Sequence, residues 1–494
     1  MTVLAIDAGT TGVTCLLVAE DGRVVARGQR EFPQHFPAPG LVEHDPDEIW
    51  AATLTAASDA LAAAAADRGE PAAVSCVGLT NQRETVVLWE RDTLRPATRA
   101  IVWQDRRSAG ECDRLREHEP RVRELTGLPL DPYFSATKLA WLSANVPDVW
   151  AGVRAGRVAV GTVDSYLLAR LTGGRLHATD PSNASRTLLL DLVSACWSPE
   201  LAELFGVPPS ALPEIVPSSG SIGRTDPAHF LGLDVPISGV AGDQQAALFG
   251  QAGFTPGAMK CTYGTGSFLL VNTGDRIAPA GAGLLSTVAW QLEGRPVQYA
   301  LEGSVFVTGA AVQWLRDGLR LIERSADSER LAASVPGSEG VVFVPALTGI
   351  GTPHWDPHAR GAILGITRGT TDAHVARAVL DGIAYQIRDV VEAVTGTASI
   401  PVDRLAVDGG AAANDLLCQI QADLLGRPVV RPRTTETTAM GAAFLAGLGA
   451  GVWRDLAEVA EAGEGRQVFT PRPLPGDGYR RWLDAVDAVR KFGS

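Results

Sequence analysis

Lysine is almost missing from this chain. Only Lys138, Lys260 and Lys491 occur among 494 residues, so nearly every cation is an arginine. None of the three lies between a glycine and a Ser or Thr, which excludes a G-x-x-x-x-G-K-[ST] phosphate loop. There is no basic run, and the net charge is −13. That balance argues against nucleic acid or an anionic membrane as the main partner. The six cysteines are scattered with no C-x-x-C pair, and a chain this long needs no disulfide staples, so reduced thiols are expected. The opening MTVLAIDAG has neither a basic segment nor a long apolar run, so no secretory leader and a cytoplasmic location are expected. The alanine run at 60–66 is flanked by Asp59 and Asp67 and reads as a soluble helix, with no stable membrane association.

What is present is ordinary globular composition, 46% hydrophobic and 20% charged, at a length that holds two or three domains. A strand, a glycine-threonine turn and a second strand occur twice. The copies are VLAIDAGTTGVTCLLVAEDG at 3–22 and MKCTYGTGSFLLVNTG at 259–274. A strand after each turn predicts a β-hairpin, whereas a Rossmann or P-loop unit would place a helix there. The glycines are expected to supply positive φ and close backbone approach, so that N–H groups and the Thr10, Thr11 and Thr265 hydroxyls surround an anion. Taken alone, each loop is equally a structural turn.

Between and beyond the hairpins the chain reads as alternating strands and helices. Helices are expected at 47–68, 304–323 and 372–395, from Asn414 to about Leu425, and finally as an amphipathic helix at 438–449. The repeated order predicts an α/β fold of two like domains, residues 1–252 and 253–494, with a nucleotide in the cleft between them. A third element, Asp408-Gly409-Gly410-Ala411-Ala412-Ala413-Asn414, ends a strand in glycines and would let a flat ring or ribose pack on the backbone. Asp7 closes the first strand, and a carboxylate beside phosphates suits Mg²⁺ held partly through water. Arg83-Glu84 sets a guanidinium beside a carboxylate at a turn, which suits hydroxyls, although a surface ion pair has the same appearance. Asp243-Gln244 follows a strand and is a candidate general base with a hydroxyl partner, or simply a helix cap. Trp103, Tyr133 and Phe268 are candidate walls, Phe268 foremost because it follows a phosphate loop. His354 and His358 mimic H-x-x-x-H, but Pro357 excludes a helical zinc site.

The two phosphate loops and the DGG element together resemble the actin-like ATPase superfamily, whose ribonuclease H-like fold serves filaments, chaperones and sugar kinases alike. Within it the chain resembles the FGGY carbohydrate kinases along nearly its whole length. The segments that carry the likeness include DAGTTG, LTNQRETVVLWE, AIVWQDRR, DPYFSATKLAWL, GVAGDQQAALFGQ, TYGTGSFLLVNTG and VDGGAAANDLLCQIQADLLG. The resemblance implies transfer of the γ-phosphoryl group of MgATP to glycerol, with another small polyol or a ketose as the alternative. It implies that Arg83, Glu84, Tyr133, Asp243 and Gln244 bond the acceptor's hydroxyls while Trp103 and Phe268 pack on its carbon chain. Asp243 would take the attacking hydroxyl's proton. Thr10, Thr11, Gly12 and Thr265 would hold phosphates, Gly309, Gln313, Gly410 and Asn414 the rest of ATP, and Asp7 and Asp243 the Mg²⁺. A homo-oligomer, dimer or tetramer, is implied as well.

Some positions depart from the family pattern. Gly12, Val13 and Thr14 stand where many members carry a serine pair and an arginine that reaches the phosphates. GRTDPAHFLGLDVP replaces a glycine-rich lysine loop that binds fructose 1,6-bisphosphate in many bacterial members, so inhibition through that loop is not expected. His229 falls where a subset of members is phosphorylated by the phosphotransferase system, but a lone loop histidine is common.

Overall fold

The computed structural model describes residues 1–69, 73–398, 400–463, 465–474 and 478–493. The first half is built on a six-stranded sheet. Its strands are β1 (Thr2–Ala8), β2 (Gly12–Ala19), β3 (Val24–Glu31), β4 (Val74–Asn81), β5 (Ser219–Arg224) and β6 (Pro236–Gly242), in the order β5-β6-β4-β1-β2-β3. β1, β2 and β3 form an antiparallel meander, while β4 and β6 run parallel to β1. Helix α1 (Pro46–Arg68) supplies the crossover between β3 and β4. Asp45 caps its start by accepting from Asp47 N, and Gly69 closes it at φ 74°. By length and composition α1 could cross a membrane, but Ile49, Ala52, Ala56, Ala60 and Ala64 are buried in the first half's core. Helix α2 (Asp243–Gly250) follows β6 directly.

The second half repeats the arrangement. Strands β7 (Met259–Tyr263) and β8 (Ser267–Gly274) form the hairpin, with β9 (Leu285–Trp290) and β10 (Gln298–Val305) on one side. After helices α3 (Gly309–Asp317) and α4 (Asp372–Ala398), β11 (Leu405–Asp408) pairs parallel with β7. Helix α5 (Asp415–Leu425) leads to β12 (Val429–Pro432), and β13 (Arg466–Phe469) completes the order β9-β10-β8-β7-β11-β12-β13. Each half therefore joins an antiparallel unit, of three strands in the first half and four in the second, through its first strand to two parallel strands.

Three expected elements differ. The helix expected at 304–323 is shorter, because β10 runs to Val305 as a strand paired on both sides, and α3 spans only Gly309–Asp317. The chain does not enter α5 straight from the glycines. Gly410–Ala413 makes a short 3₁₀ turn first, and Asn414 is the cap. Helix α6 (Thr437–Gly449) is neither amphipathic nor last: nearly every side is buried, and α7 (Gly478–Gly493) comes later.

The reason for α6's burial is that it crosses over to the first half. It packs on β1, β4 and β6 and along α2, in a core shared with Val3, Cys76, Ala241 and Phe249. The approach is backbone to backbone. A Cβ on Gly78 of β4 would lie 2.1 Å from Ala442 O, and one on Gly441 would lie 1.8 Å from Ala246 O. Neither contact can relax by turning a side chain, so Gly441→Ala should cost about 1–3 kcal/mol or more through forced separation of α6 from α2. Urea unfolding followed by circular dichroism checks this, and an unchanged midpoint contradicts it.

Candidate active site

The first glycine-threonine loop joins β1 to β2 and is closed by Gly9 N donating to Gly12 O at 3.0 Å. Its glycines do not have positive φ, contrary to expectation. Gly12 is required instead by close packing, since a Cβ there would lie 2.8 Å from Arg30 O on β3. Thr11 is exposed and Thr10 half-buried. The loop is braced from outside by Gln82 Nε2, which donates to Gly9 O, and by Gln34 Nε2, which donates to Thr10 O, each at 3.0 Å. Thr14 lies within β2, buried and in register with Asp7.

The second loop, Gly264-Thr265-Gly266, joins β7 to β8. Gly309 N donates to Gly264 O at 2.9 Å and Ala310 N to Thr265 O at 3.1 Å, which brings the start of α3 against the loop. Gln313 is exposed one turn along the same face of α3 as Gly309. Gly409, at φ 84°, lies so close to β7 that a Cβ would be 2.6 Å from Tyr263 O, whereas a Cβ on Gly410 would meet nothing. The DGG turn thus sits beside the second loop with an open backbone surface at Gly410. Asn414 spends its Oδ1 on Leu417 N at 2.8 Å, as the cap of α5.

One aromatic side chain ties the two loops together. Trp103 Nε1 donates to Thr10 Oγ1 at 3.0 Å, and its ring meets Tyr133 edge-on at 5.6 Å and Phe268 at 6.4 Å between centroids. All three expected walls therefore converge.

Below them lies a cluster of buried charge. Arg83 Nη1 donates to Glu302 Oε2 at 2.6 Å and Nη2 to Oε1 at 3.2 Å, a two-pronged pair across the two halves. Arg83 Nε lies 3.2 Å from Asp243 Oδ1. Arg186 donates through Nε to Glu84 Oε1 at 2.7 Å and through Nη2 to Glu302 Oε1 at 3.0 Å. Glu84 itself is held at φ 61°, a left-handed conformation uncommon for a side chain of this kind. Lys260 Nζ donates to Gln244 Oε1 and, at 3.0 Å, to Thr262 Oγ1.

The electrostatics follow from this geometry. Burial alone would push the Glu302 carboxyl up, but Arg186 and Arg83 outweigh it and hold it at about 2. Glu84 goes the other way, raised by burial against its two arginines. Asp243, the first residue of α2, accepts from Gln244 N at 2.7 Å. Burial raises its carboxyl pKa, opposed by Arg83 and Lys260. Asp7 is raised well above the usual range by burial and then by the Asp243 charge. Two carboxylates that each resist ionising together are a fitting seat for a cation. Among the described residues no group of three or more His, Cys, Asp or Glu is arranged to hold a metal ion, so phosphate and water oxygens would have to complete such a shell.

Four partners in this site were missed by the sequence reading: Glu302, Arg186, Gln245 and Lys260. Glu302 and Lys260 carry a signal, since each is a lone charge inside an apolar strand, YALEGSV and MKCTY. Gln245 and Arg186 have no comparable local mark. His229 stands half exposed on a turn, with Nδ1 3.5 Å from Asp226.

Comparison with known proteins finds likeness over nearly the whole chain. The N-terminal domain of the FGGY family of carbohydrate kinases matches residues 2–250, and the C-terminal domain of that family matches residues 259–450. The chain is 53% identical over 498 residues to a glycerol kinase of Symbiobacterium thermophilum, covering 100% of this chain and 99% of that one. It is 54% identical over 493 residues to a glycerol kinase of Thermus brockianus, at 99% and 98% coverage. The crystal structure of Plasmodium falciparum glycerol kinase with ADP superposes with a TM-score of 0.91 at 33% identity, covering 99% of this chain and 98% of that one.

Removing Arg83 would leave Asp243 without its nearest cation and Glu302 with Arg186 alone. Arg83→Met should therefore cost about 3–5 kcal/mol of stability, as breaking buried ion pairs does. Equilibrium denaturation measures it, and a loss below about 1 kcal/mol would show that Arg186 alone satisfies Glu302.

Proposed function

The chain belongs to the FGGY family of carbohydrate kinases, and we infer from that membership, from whole-length likeness to glycerol kinases and from the site that it phosphorylates glycerol with ATP, giving sn-glycerol 3-phosphate and ADP. The observation that carries the mechanism is the placement of Asp243. Its carboxylate stands at the head of α2, 3.2 Å from Arg83, and Asp7 at the end of β1 feels its charge.

In this reading glycerol's carbon chain packs on Trp103 and Phe268. Its hydroxyls bond Arg83, Glu84, Tyr133 and Gln244. Asp243 accepts the proton of the terminal hydroxyl as that oxygen attacks the γ-phosphorus in line. The bond from phosphorus to the β–γ bridging oxygen breaks, and ADP leaves. Thr10, Thr11, Gly12 and Thr265 hold the phosphates, with Gly309, Gln313, Gly410 and Asn414 around the rest of ATP. Asp7 and Asp243 would hold Mg²⁺, which would offset charge on the transferred group. Most of the acceleration then comes from positioning and charge stabilisation, with water kept from the γ-phosphate. The assignment of halves to 1–252 and 253–494 is part of the same proposal, as is a cytoplasmic location.

Asp243→Asn should lower phosphoryl transfer at least about 10²–10⁴-fold while ATP binding stays near normal, because it removes the base and leaves the nucleotide loops intact. A coupled ADP assay and nucleotide titration test it, and near-normal turnover would refute the assignment. The pH dependence carries a second expectation. Asp243 must be ionised to accept a proton, and its pKa is raised. Activity should therefore be lost as pH falls through an apparent pKa above the ordinary aspartate value of about 4. An acid limb at or below that value contradicts the environment described for Asp243. In the same assay, a faster rate with another polyol than with glycerol would overturn the substrate.

A further inference from the structure

We propose that Arg186 and Glu302 are the positioning residues that fix the acceptor specificity of this kinase, with Glu302 supplied by the second half to a site otherwise built by the first. This rests on the reading of the site given above.

Arg186 is wholly buried and touches three separate parts of the acceptor site. Its Nε holds Glu84 Oε1, its Nη2 holds Glu302 Oε1, and its guanidinium lies 5.3 Å from the Phe134 ring centroid and 6.0 Å from that of Tyr133. Its remaining nitrogen, Nη1, is buried with no hydrogen-bond partner. Such a donor is costly to bury, and an arrangement that tolerates it is holding the group for position.

Glu302 completes the constraint. It takes both prongs of Arg83, while Gln245 Oε1 accepts from the same Nη1 at 3.2 Å. A guanidinium has five N–H donors. Both donors of Nη1 and one of Nη2 are thus occupied, leaving the second Nη2 donor, with Nε beside Asp243. Glu84 gives one oxygen to Arg186, and no described residue donates to its Oε2. The network therefore leaves a donor on Arg83 and an acceptor on Glu84, on adjacent residues. That pair suits two neighbouring hydroxyls, one accepting and one donating. Without Glu302 the Arg83 fork keeps only Gln245 and Asp243, and without Arg186 the Glu84 carboxylate loses its side-chain donor.

The test compares Glu302→Gln and Arg186→Lys with the unmodified enzyme in steady-state kinetics on both substrates, alongside thermal melting. Glu302→Asp serves as the conservative control. The expected result is a KM for glycerol raised about tenfold or more, a KM for ATP within twofold, and partial recovery in Glu302→Asp. If Glu302→Gln does not fold, Arg186→Lys keeps a cation at the buried site and carries the test. An unchanged KM for glycerol, or equal rises in both KM values with a lowered melting point, would show a purely structural tie and overturn the proposal. Unmodified enzyme inactive on glycerol would instead overturn the function on which it rests.

Discussion

The contact on which the site depends is the fork between Arg83 and Glu302. Two charges taken out of water cost several kcal/mol each unless their attraction and hydrogen bonds are nearly complete. Here they are close to complete, because Arg186 adds a second cation to Glu302 and Glu84 returns a second anion to Arg186. The four charges balance, and none of the four residues is more than 3% exposed. Glu302 also comes from β10, whereas the other three belong to the first half. The two halves cannot separate at this point without exposing or stranding a charge, so the acceptor site and the interface between halves are held by the same atoms.

That rigidity has an apolar counterpart. Helix α6 belongs to the second half by sequence but fills the face of the first sheet, and it comes close enough that Gly78 and Gly441 have no room for a Cβ. Asp408, at the end of β11, reaches the same junction. Its Oδ2 accepts from Gln251 at the end of α2 and from Thr437 at the start of α6. The strand end that leads into Gly409 and Gly410 is thus pinned to the helix that begins with Asp243. The DGG turn and the head of α2, which the proposed function gives to nucleotide and base, are therefore linked through this joint.

Much of this was legible in the residues. The hairpins at both ends of the duplication follow from apolar strands around glycine-threonine turns, and Trp103, Tyr133 and Phe268 do meet. Local sequence could not show that α6 crosses to the other half. Its uniformly small and apolar residues are the mark of a helix buried on all sides, a pattern that periodicity does not separate from a weak amphipathic one. The helix expected at 304–323 was set to start too early because the pairing of β10 with β8 and β9 is a long-range fact. Of the two properties expected of glycines 9 and 12, positive φ is absent and close approach is present, since the neighbour that Gly12 must clear is on β3. Arg186 was invisible because nothing near it in sequence announces Glu302, 116 residues away.

The proposed chemistry reduces to one arrangement: an aspartate whose pKa is raised by burial and which lies beside Arg83 would face an acceptor between aromatic walls and a nucleotide on two turns. A crystal structure of the protein with glycerol and a non-hydrolysable ATP analogue tests this most directly. The account predicts a terminal hydroxyl of glycerol within about 3.2 Å of Asp243, other hydroxyls on Arg83 and Glu84, and the γ-phosphate between the two glycine-threonine loops. Glycerol bound away from Asp243, or an Arg83 that leaves Glu302 to reach it, would contradict the account.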